Sequence, residues 1–521
     1  MLSKSVSKKK GIGTPLNTIF SWLIKKRVHQ IDLFKKHPFE VQQESLQKLV
    51  DAAKNTEFGK NHNFQNISNL AEYQEAVPLQ TYADILPDIE RIKKGEQNIL
   101  WPTEVLWFAK SSGTTEGKSK FIPVSKEALL DCHYKGGKDL LGMYYTHHPE
   151  TQLFKGKHLI IGGSAEINYL NQKSYFGDLS SIIVKNLPWW CEWRRTPSRD
   201  IALMSEWEEK LEKMAKTTVK EDVHILAGVP SWTLVLLHKI MKQEGVDNIA
   251  DVWPNIELYM HGGVNFEPYR KQFEAIIRKP GMNYVQTYNA SEGFFGIQDK
   301  VAGDEMLLML DYGIYYEFIP MSSFDDPDPK VVNLEQVELN TNYALVISTN
   351  SGLWRYVIGD TVIFTDLDPF RFRISGRTSN FINAFGEELI ADNTNRAIAI
   401  ACDIHKLDVV NYTVCPIYMD NQGSGGAHQW LIEFVTNPED LDIFIKTLDT
   451  ELKKNNSDYE AKRSKDLSLQ EPIVNCVTSG TFYEWMRLNN KIGGQNKIPR
   501  LQNDRKFAEE ILNISTTINP H

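Results

Sequence analysis

Short apolar runs and segments with apolar residues at helical spacing alternate through the middle of the chain. Runs at 223–227, 256–259 and 283–287 predict buried strands, and the segments at 232–243 and 269–277 predict amphipathic helices. Strands that alternate with helices indicate a mostly parallel sheet. Because ligands bind beyond the carboxyl ends of such strands, the loops that follow these runs are candidate site positions.

The pattern changes after the third of these strands. The chain then predicts short strands joined by turns, which are typical of antiparallel pairing, until helical and strand patterns resume beyond residues 376–379. The last part suggests two strand pairs with helices on one side, a small α+β domain. The sequence therefore predicts an α/β fold in two domains. Residues 1–376 form a large N-terminal domain with mostly parallel sheets and a β-rich subdomain, and residues 377–521 form the small C-terminal domain.

Composition narrows the class of protein. The chain of 521 residues is too long for one hydrophobic core, and its 41% hydrophobic and 24% charged fractions are those of a globular protein. A formal net charge of -9 argues against a nucleic-acid partner, because such proteins usually present a basic face. Five cysteines without a C-x-x-C pair disfavour disulfides and zinc sites and favour a reducing compartment.

Membrane and export signals are weak in this sequence. No segment approaches the ~20 apolar residues that a membrane span needs. The apolar run at 19–24 is too short for the core of a signal peptide and ends in basic residues, so it predicts an amphipathic surface helix. We therefore expect a cytoplasmic protein without an integral membrane segment.

The stretch at 111–120, SSGTTEGKSK, has the composition of a phosphate-binding loop. It lies between apolar runs at 105–109 and 121–124, which predict strands. Glycines expose backbone N–H groups to an anion, hydroxyls add donors, and lysines add charge. The stretch is not a P-loop, because Gly113 and Gly117 are one residue too close and no helix follows. A polar hairpin turn is the alternative interpretation.

Three later segments supply the other groups that a nucleotide site needs. After a predicted strand, the ring of Tyr288 can stack on a base and Glu292 can hold a magnesium ion. Asp360 follows a glycine at a predicted turn, where its two oxygens can accept hydrogen bonds from ribose hydroxyls. Lys497, in a glycine-containing segment, can stabilise charge on an α-phosphate. Each residue alone has an ordinary structural explanation, and only their joint occurrence favours a nucleotide site.

In this order the motifs resemble those of the adenylate-forming superfamily, which contains acyl-CoA ligases, luciferases and the adenylation domains of peptide synthetases. The closer resemblance is to the auxin-responsive Gretchen Hagen family of acyl acid amido synthetases. Four motifs carry it: SSGTTEGKSK at 111–120, YNASE at 288–292, RYVIGD at 355–360 and GGQNKIPR at 493–500. The resemblance implies an AMP-forming ligase that adenylates a carboxylic acid with ATP and passes the acyl group to an amino acid.

The resemblance also implies roles for individual residues. Glu292 and Lys497 would be catalytic, with Glu292 holding Mg²⁺ and Lys497 acting on the α-phosphate. ATP would be contacted by a larger set of residues: Ser111, Ser112, Gly113, Thr114, Thr115, Lys120, Gly262, Gly263, Tyr288, Ser291, Arg355, Asp360 and Arg377. The C-terminal domain would be mobile and swing about residues 376–380, although Ser379 stands where the wider superfamily has a hinge aspartate.

The substrates that the resemblance implies are ATP, a small carboxylic acid and an amino acid. By position in the predicted sheet, the pocket for the acid includes residues near Val229, Pro230, Met260 and His261. Two other functions fit the same motifs, namely an acyl-CoA ligase with a thiol acceptor and a non-catalytic nucleotide-binding protein. A P-loop ATPase, in contrast, would release ADP in place of AMP.

Overall fold

The structure is a computed structural model of the 521-residue chain. It describes residues 15–111, 120–162, 168–169, 174–204, 206–263, 266–300, 303, 305–324, 326–378, 381–382, 384–387, 389–419, 425–464, 468–489 and 498–518. The helices in these ranges are α1 (Pro15–Lys36), α2 (Pro38–Ala53), α3 (Glu57–Asn61), α4 (Leu70–Ala76), α5 (Tyr82–Lys93), α6 (Tyr134–His147), α7 (Leu179–Lys185), α8 (Trp189–Glu192), α9 (Arg199–Ala202), α10 (Trp207–Thr218), α11 (Pro230–Glu244), α12 (Ile249–Val252), α13 (Glu267–Ile276), α14 (Ala391–His405), α15 (Leu441–Asn455), α16 (Ser457–Lys462), α17 (Thr481–Leu488) and α18 (Lys506–Ile518). The strands are β1 (Trp107–Ser111), β2 (Lys120–Val124), β3 (Lys157–Ile161), β4 (Asn168–Tyr169), β5 (Tyr175–Gly177), β6 (Arg195–Thr196), β7 (Val223–Gly228), β8 (Leu258–His261), β9 (Asn283–Ala290), β10 (Gly293–Ile297), β11 (Met306–Leu308), β12 (Ile314–Pro320), β13 (Val332–Asn333), β14 (Asn342–Thr349), β15 (Tyr356–Leu367), β16 (Phe370–Arg377), β17 (Phe381–Ile382), β18 (Leu389–Ile390), β19 (Val409–Ile417), β20 (Ala427–Phe434) and β21 (Ile473–Cys476).

The largest sheet has twelve strands in the order β13-β12-β14-β15-β16-β11-β10-β9-β8-β7-β3-β6. The strands from β6 to β9 in this order run parallel, and the helices α11, α12 and α13 lie between consecutive strands of this half. From β9 to β13 all pairings are antiparallel. Strand β9 therefore joins the two halves. The α/β class and the change from a parallel to an antiparallel pattern, both predicted from the sequence, are confirmed.

Helix α11 illustrates how local sequence sets a crossover. Pro230 occupies its first turn, where the missing N–H costs no helical bond, and Gly245 ends it in the left-handed region at φ +68°. Leu234 and Leu237 of the helix are fully buried in a cluster that also contains Leu226 of β7. Because each crossover in a parallel sheet returns the chain to the same end, the carboxyl ends of β7, β8 and β9 lie along one edge.

A second sheet, in the order β2-β1-β5-β4, carries the predicted phosphate-binding stretch. Strands β1 and β2 pair antiparallel from Trp107 opposite Val124 to Ser111 opposite Lys120. The two strands that the sequence predicts on either side of the stretch are therefore confirmed. The connecting residues 112–119 lie outside the described residues.

The chain after Arg377 contains a three-stranded sheet, β19-β20-β21. Strands β20 and β21 are parallel, whereas the sequence suggested two strand pairs, because α15 and α16 form the connection between them. This part packs on α11 and α13 of the preceding part. The Nζ atom of Lys462 lies 4.7 Å from the centre of the Trp232 ring, and the hydroxyl of Tyr269 donates a hydrogen bond to the backbone oxygen of Ala384. The domain division at residue 376 stays a prediction.

None of the described helices combines the length and the apolar composition needed to cross a membrane.

Candidate active site

The YNASE motif lies on a β-hairpin at the carboxyl end of β9. Tyr288 is a buried residue within the strand, which continues to Ala290, and Ser291 and Glu292 form the turn into β10. The sequence suggested a loop that begins at Tyr288, and this was wrong because β10 extends the strand by pairing Gly293 with Ala290. The strand fixes the Tyr288 ring, and the turn presents Ser291 and Glu292 at the edge of the sheet.

Asp360 connects Tyr288 and Arg377. One carboxylate oxygen, Oδ1, lies 2.7 Å from Nε of Arg377, and the other accepts a hydrogen bond from the hydroxyl of Tyr288. Asp360 and Arg377 are also paired across β15 and β16. The sequence suggested that Asp360 lies at a turn. This was wrong, because Gly359 adopts φ +93° inside β15 and the strand continues through both residues.

Glu292 lies beside Asp360 and Arg377, and the pKa of its carboxyl is raised. Burial raises the pKa of Glu292 to about 7, and the charge of Asp360 adds to the rise, whereas Lys120 and Arg377 oppose it. An added cation would stabilise the ionised carboxylate. Among the described residues no cluster of three metal-binding side chains exists, but Mg²⁺ in nucleotide sites needs only one or two carboxylates plus phosphates. Glu292 therefore fits a magnesium ion that arrives with ATP.

The phosphate-binding stretch is described only at its two ends. Ser111 ends β1 and Lys120 begins β2 directly opposite it. Nζ of Lys120 lies 5.7 Å from the centre of the Tyr82 ring, and the Tyr82 hydroxyl accepts a hydrogen bond from the backbone N–H of Phe121 at 2.8 Å. The remaining predicted contacts of the loop and the predicted catalytic lysine lie outside the described residues: Ser112, Gly113, Thr114, Thr115 and Lys497.

Gly262 and Gly263 follow β8 at the same edge of the sheet. A Cβ atom on Gly262 would lie 2.5 Å from the backbone oxygen of Thr287, and Gly263 adopts φ +83°. Thr287 in turn donates its hydroxyl hydrogen bond to the backbone oxygen of His261. Glycine is therefore needed for the chain after β8 to pass so close to the end of β9, one residue before Tyr288.

The contacts of Arg355 are separate from those that join Tyr288, Asp360 and Arg377. Its Nε donates to Glu317 at 3.0 Å, and one terminal nitrogen donates to the backbone oxygens of Gln74 at 3.1 Å and Val77 at 2.8 Å. Both members of the ion pair are buried, with side chains 6% and 1% exposed. These partners hold the guanidinium, so Arg355 supports the fold at the start of β15, and its predicted contact with ATP stays a prediction.

Two tyrosines near the site were not singled out from the sequence. Tyr82 contacts Lys120 as described above. Tyr356 is fully buried, and burial, followed by the charge of Glu292, raises the pKa of its hydroxyl. For Tyr82 the sequence offered no signal. For Tyr356 a signal existed, because it belongs to the RYVIGD motif, four positions before Asp360.

The residues that we predicted near the acid pocket lie at the carboxyl ends of β7 and β8. Val229 and Pro230 open α11, whereas Met260 and His261 end β8. The His261 ring stacks on Phe266 with 3.9 Å between ring centres, and burial lowers the pKa of His261 to about 3. His261 is therefore a neutral ring near neutral pH. These positions adjoin Gly262 and Gly263, at the edge of the sheet where Thr287 and Tyr288 lie.

Three family models match the chain. Residues 27–282 match the GH3 family N-terminal domain, residues 307–377 the GH3 family central domain and residues 392–506 the GH3 family C-terminal domain. The chain belongs to the GH3 family. The resemblance carried by the four motifs is therefore confirmed, and the GH3 models together span most of the sequence.

Curated relatives and solved structures agree with the GH3 assignment. An indole-3-acetic acid-amido synthetase from Arabidopsis thaliana is 22% identical over 90% of this chain and 90% of its own length. A jasmonoyl–L-amino acid synthetase from Nicotiana attenuata is 22% identical over 64% of this chain and 68% of its own length. A solved acyl acid amido synthetase of the GH3 family superposes with a TM-score of 0.59 at 17% identity over 94% of this chain and 95% of that one. A 2-hydroxyisobutyryl-CoA ligase superposes with a TM-score of 0.51 at 12% identity over 92% of each chain, so this GH3 chain shares the fold of that ligase.

Proposed function

We propose that this chain is an ATP-dependent acyl acid amido synthetase. It would adenylate a small carboxylic acid and transfer the acyl group to the amine of an amino acid. One observation carries the proposal: Tyr288, Asp360 and Arg377 are joined by hydrogen bonds, with Glu292 beside them, in a chain of the GH3 family. The named activities of the relatives supply the acid and amino acid classes.

The nucleoside of ATP would bind against Tyr288 and Asp360. Oδ1 of Asp360 lies 2.7 Å from Nε of Arg377, and the other oxygen accepts a hydrogen bond from the hydroxyl of Tyr288. A carboxylate offers about four acceptor positions, so the ribose hydroxyls can donate to it. Arg377 holds that carboxylate in its orientation through the ion pair. We further propose that Gly262 and Gly263 line the base, because the chain after β8 passes next to Thr287, one residue before Tyr288.

The phosphates would bind the loop between β1 and β2. Ser111 and Lys120 stand at its two ends, and the hydroxyl and glycine residues between them would complete the cradle. Magnesium, when bound, would neutralise phosphate charge and make the α-phosphorus more electrophilic. Glu292 would hold it together with the phosphate oxygens.

The reaction would proceed in two steps. An oxygen of the acid carboxylate attacks the α-phosphorus of ATP, the bond to the β-phosphate oxygen breaks, and pyrophosphate leaves. Lys497 would stabilise the negative charge that develops at the α-phosphate. The amino acid amine then attacks the acyl carbon of the mixed anhydride and loses a proton, and AMP leaves. Holding the acid and ATP together can lower the barrier by up to about 7–11 kcal/mol.

We propose that residues 1–376 and 377–521 act as two domains that change orientation between the steps. Two features support this division: β16 ends at Arg377, and the matched central and C-terminal family domains are separated by residues 378–391. We also propose a cytoplasmic location, because all five cysteines are free.

Product analysis tests the proposal. The protein is incubated with ATP, Mg²⁺, a pool of aryl and alkyl carboxylic acids, and the twenty amino acids, with CoA as an alternative acceptor. We expect AMP and pyrophosphate only when acid is present, and a new amide mass only when both pools are present. A thioester formed with CoA in place of the amide would identify an acyl-CoA ligase. Nucleotide binding without pyrophosphate release under any pool would indicate a non-catalytic protein.

A further inference from the structure

The hydroxyl of Tyr356 is a buried polar group for which the described residues provide no hydrogen-bond partner. The residue as a whole is 0% exposed. A buried hydroxyl without a partner is destabilising, so such groups persist where water or a ligand state supplies the partner. The position of this hydroxyl in the fold decides whether water or a ligand-bound state supplies its partner.

Tyr356 lies on the face of β15 that adjoins the proposed nucleotide site. Tyr356 and Ile358 are buried in the same hydrophobic cluster as Tyr288, whereas Val357 between them packs against a different cluster on the other face. Tyr288 also donates a hydrogen bond to Asp360, which follows Ile358 and Gly359 in the same strand. The Tyr356 side chain therefore points toward the Tyr288–Asp360 pair.

Glu292 is the acidic residue whose charge most raises the pKa of the Tyr356 hydroxyl. After burial itself, the charge of Glu292 is the largest influence that raises the pKa of Tyr356 well above its usual value, followed by Tyr82. The Glu292 carboxylate in turn interacts with its own backbone N–H group. A carboxylate that turned from its own backbone toward bound phosphates would leave that contact, and Tyr356 is the nearby buried donor without a partner among the described residues.

We propose that Tyr356 is a positioning residue, which donates a hydrogen bond to the Glu292 carboxylate when nucleotide and a divalent cation are bound. The inference rests on the proposed function, because Glu292 is the residue that would hold the cation. A hydroxyl behind a metal-binding carboxylate fixes the orientation of that carboxylate, and loss of such partners typically weakens metal binding about 10–100-fold.

A structural water is the competing explanation. Gln80 pairs with Tyr356 in an isolated parallel bridge, and its Oε1 atom is also buried without a hydrogen-bond partner among the described residues. One water between Gln80 and Tyr356 would satisfy both groups. In that case, removing the hydroxyl would change stability and leave metal binding unaltered.

The variant Tyr356→Phe separates these roles, because it removes the hydroxyl and keeps the packed ring. The matched control is Tyr316→Phe, whose hydroxyl is buried in the same sheet and donates to the backbone oxygen of Met309 at 3.1 Å. Affinity for Mn²⁺ is measured by electron paramagnetic resonance with saturating α,β-methylene-ATP. We expect Tyr356→Phe to bind Mn²⁺ at least about tenfold more weakly than the wild type, and Tyr316→Phe to bind it equally well.

A second readout uses pyrophosphate exchange. The Mg²⁺ concentration for half-maximal exchange should rise in Tyr356→Phe, while the KM for ATP at saturating Mg²⁺ stays unchanged. Unchanged Mn²⁺ affinity with a lowered melting temperature would establish the structural water and overturn the inference. A wild-type protein that binds no Mn²⁺–nucleotide complex would overturn the proposed function as well, so the two failures are distinguishable.

Discussion

Replacing Arg355 with methionine tests whether this motif residue supports the fold or binds nucleotide. Its guanidinium donates to the Glu317 carboxylate and to the backbone oxygens of Gln74 and Val77. Methionine has a similar length and removes all three bonds. The Glu317 carboxylate, only 1% exposed, would then keep just the hydrogen bond from the Gln74 amide.

The expected loss of stability follows from the burial of the pair. Removing one member of a buried ion pair costs about 3–5 kcal/mol, because the other charge is left uncompensated. With an unfolding entropy of ~2.1 cal/mol/K per residue, a chain of 521 residues has about 1.1 kcal/mol/K. The melting temperature of Arg355→Met should therefore fall by about 3–5 °C.

The assay combines calorimetric melting with the ATP dependence of pyrophosphate exchange. Arg373→Met is the control, because Arg373 is an exposed residue of the neighbouring strand β16. The double variant Arg355→Met/Glu317→Gln should melt above the temperature expected from the sum of the single losses, because the two side chains interact directly. If Arg355→Met melts at the wild-type temperature and shows a raised KM for ATP, this reasoning is refuted and Arg355 binds nucleotide.

Three further variants test the site itself. Asp360→Asn should raise the KM for ATP roughly 10–100-fold, because hydrogen bonds to a charged group contribute about 1.5–3 kcal/mol, and an unchanged KM in pyrophosphate exchange would contradict the ribose contact. Lys497→Ala should slow AMP formation by roughly 10²–10³-fold without changing the melting temperature, and AMP formation at the normal rate would exclude the role that we propose for the lysine. Gly262→Ala should lower both the melting temperature and the affinity for ATP, because its Cβ would lie 2.5 Å from the Thr287 oxygen. Gly137→Ala, which meets nothing within 4 Å, is the matched control, and equal behaviour of the two variants would argue against a close approach at Gly262.

The motifs singled out three residues that the structure brings together. Tyr288, Asp360 and Arg377 were each assigned to ATP from sequence, and they meet through direct hydrogen bonds in the structure. Their separation along the chain gives no information on these contacts. The meeting depends on β9 and β15 belonging to one sheet whose order places β10, β11 and β16 between them. No local pattern specifies that order, because it is set by pairings between distant segments.

The sequence by itself determined the alternation of strands and helices, the later antiparallel region, the strands on either side of residues 112–119, and the family. These features depend on local periodicity and on motifs that need only neighbouring residues. The tertiary structure alone decided which face each side chain occupies. Arg355, in the left-handed region at φ +43°, turns toward Glu317, and Tyr356 turns toward the Tyr288–Asp360 pair. The physical reason is register: in a strand a shift of one position reverses the face, and pairing with β14 and β16 fixes that register.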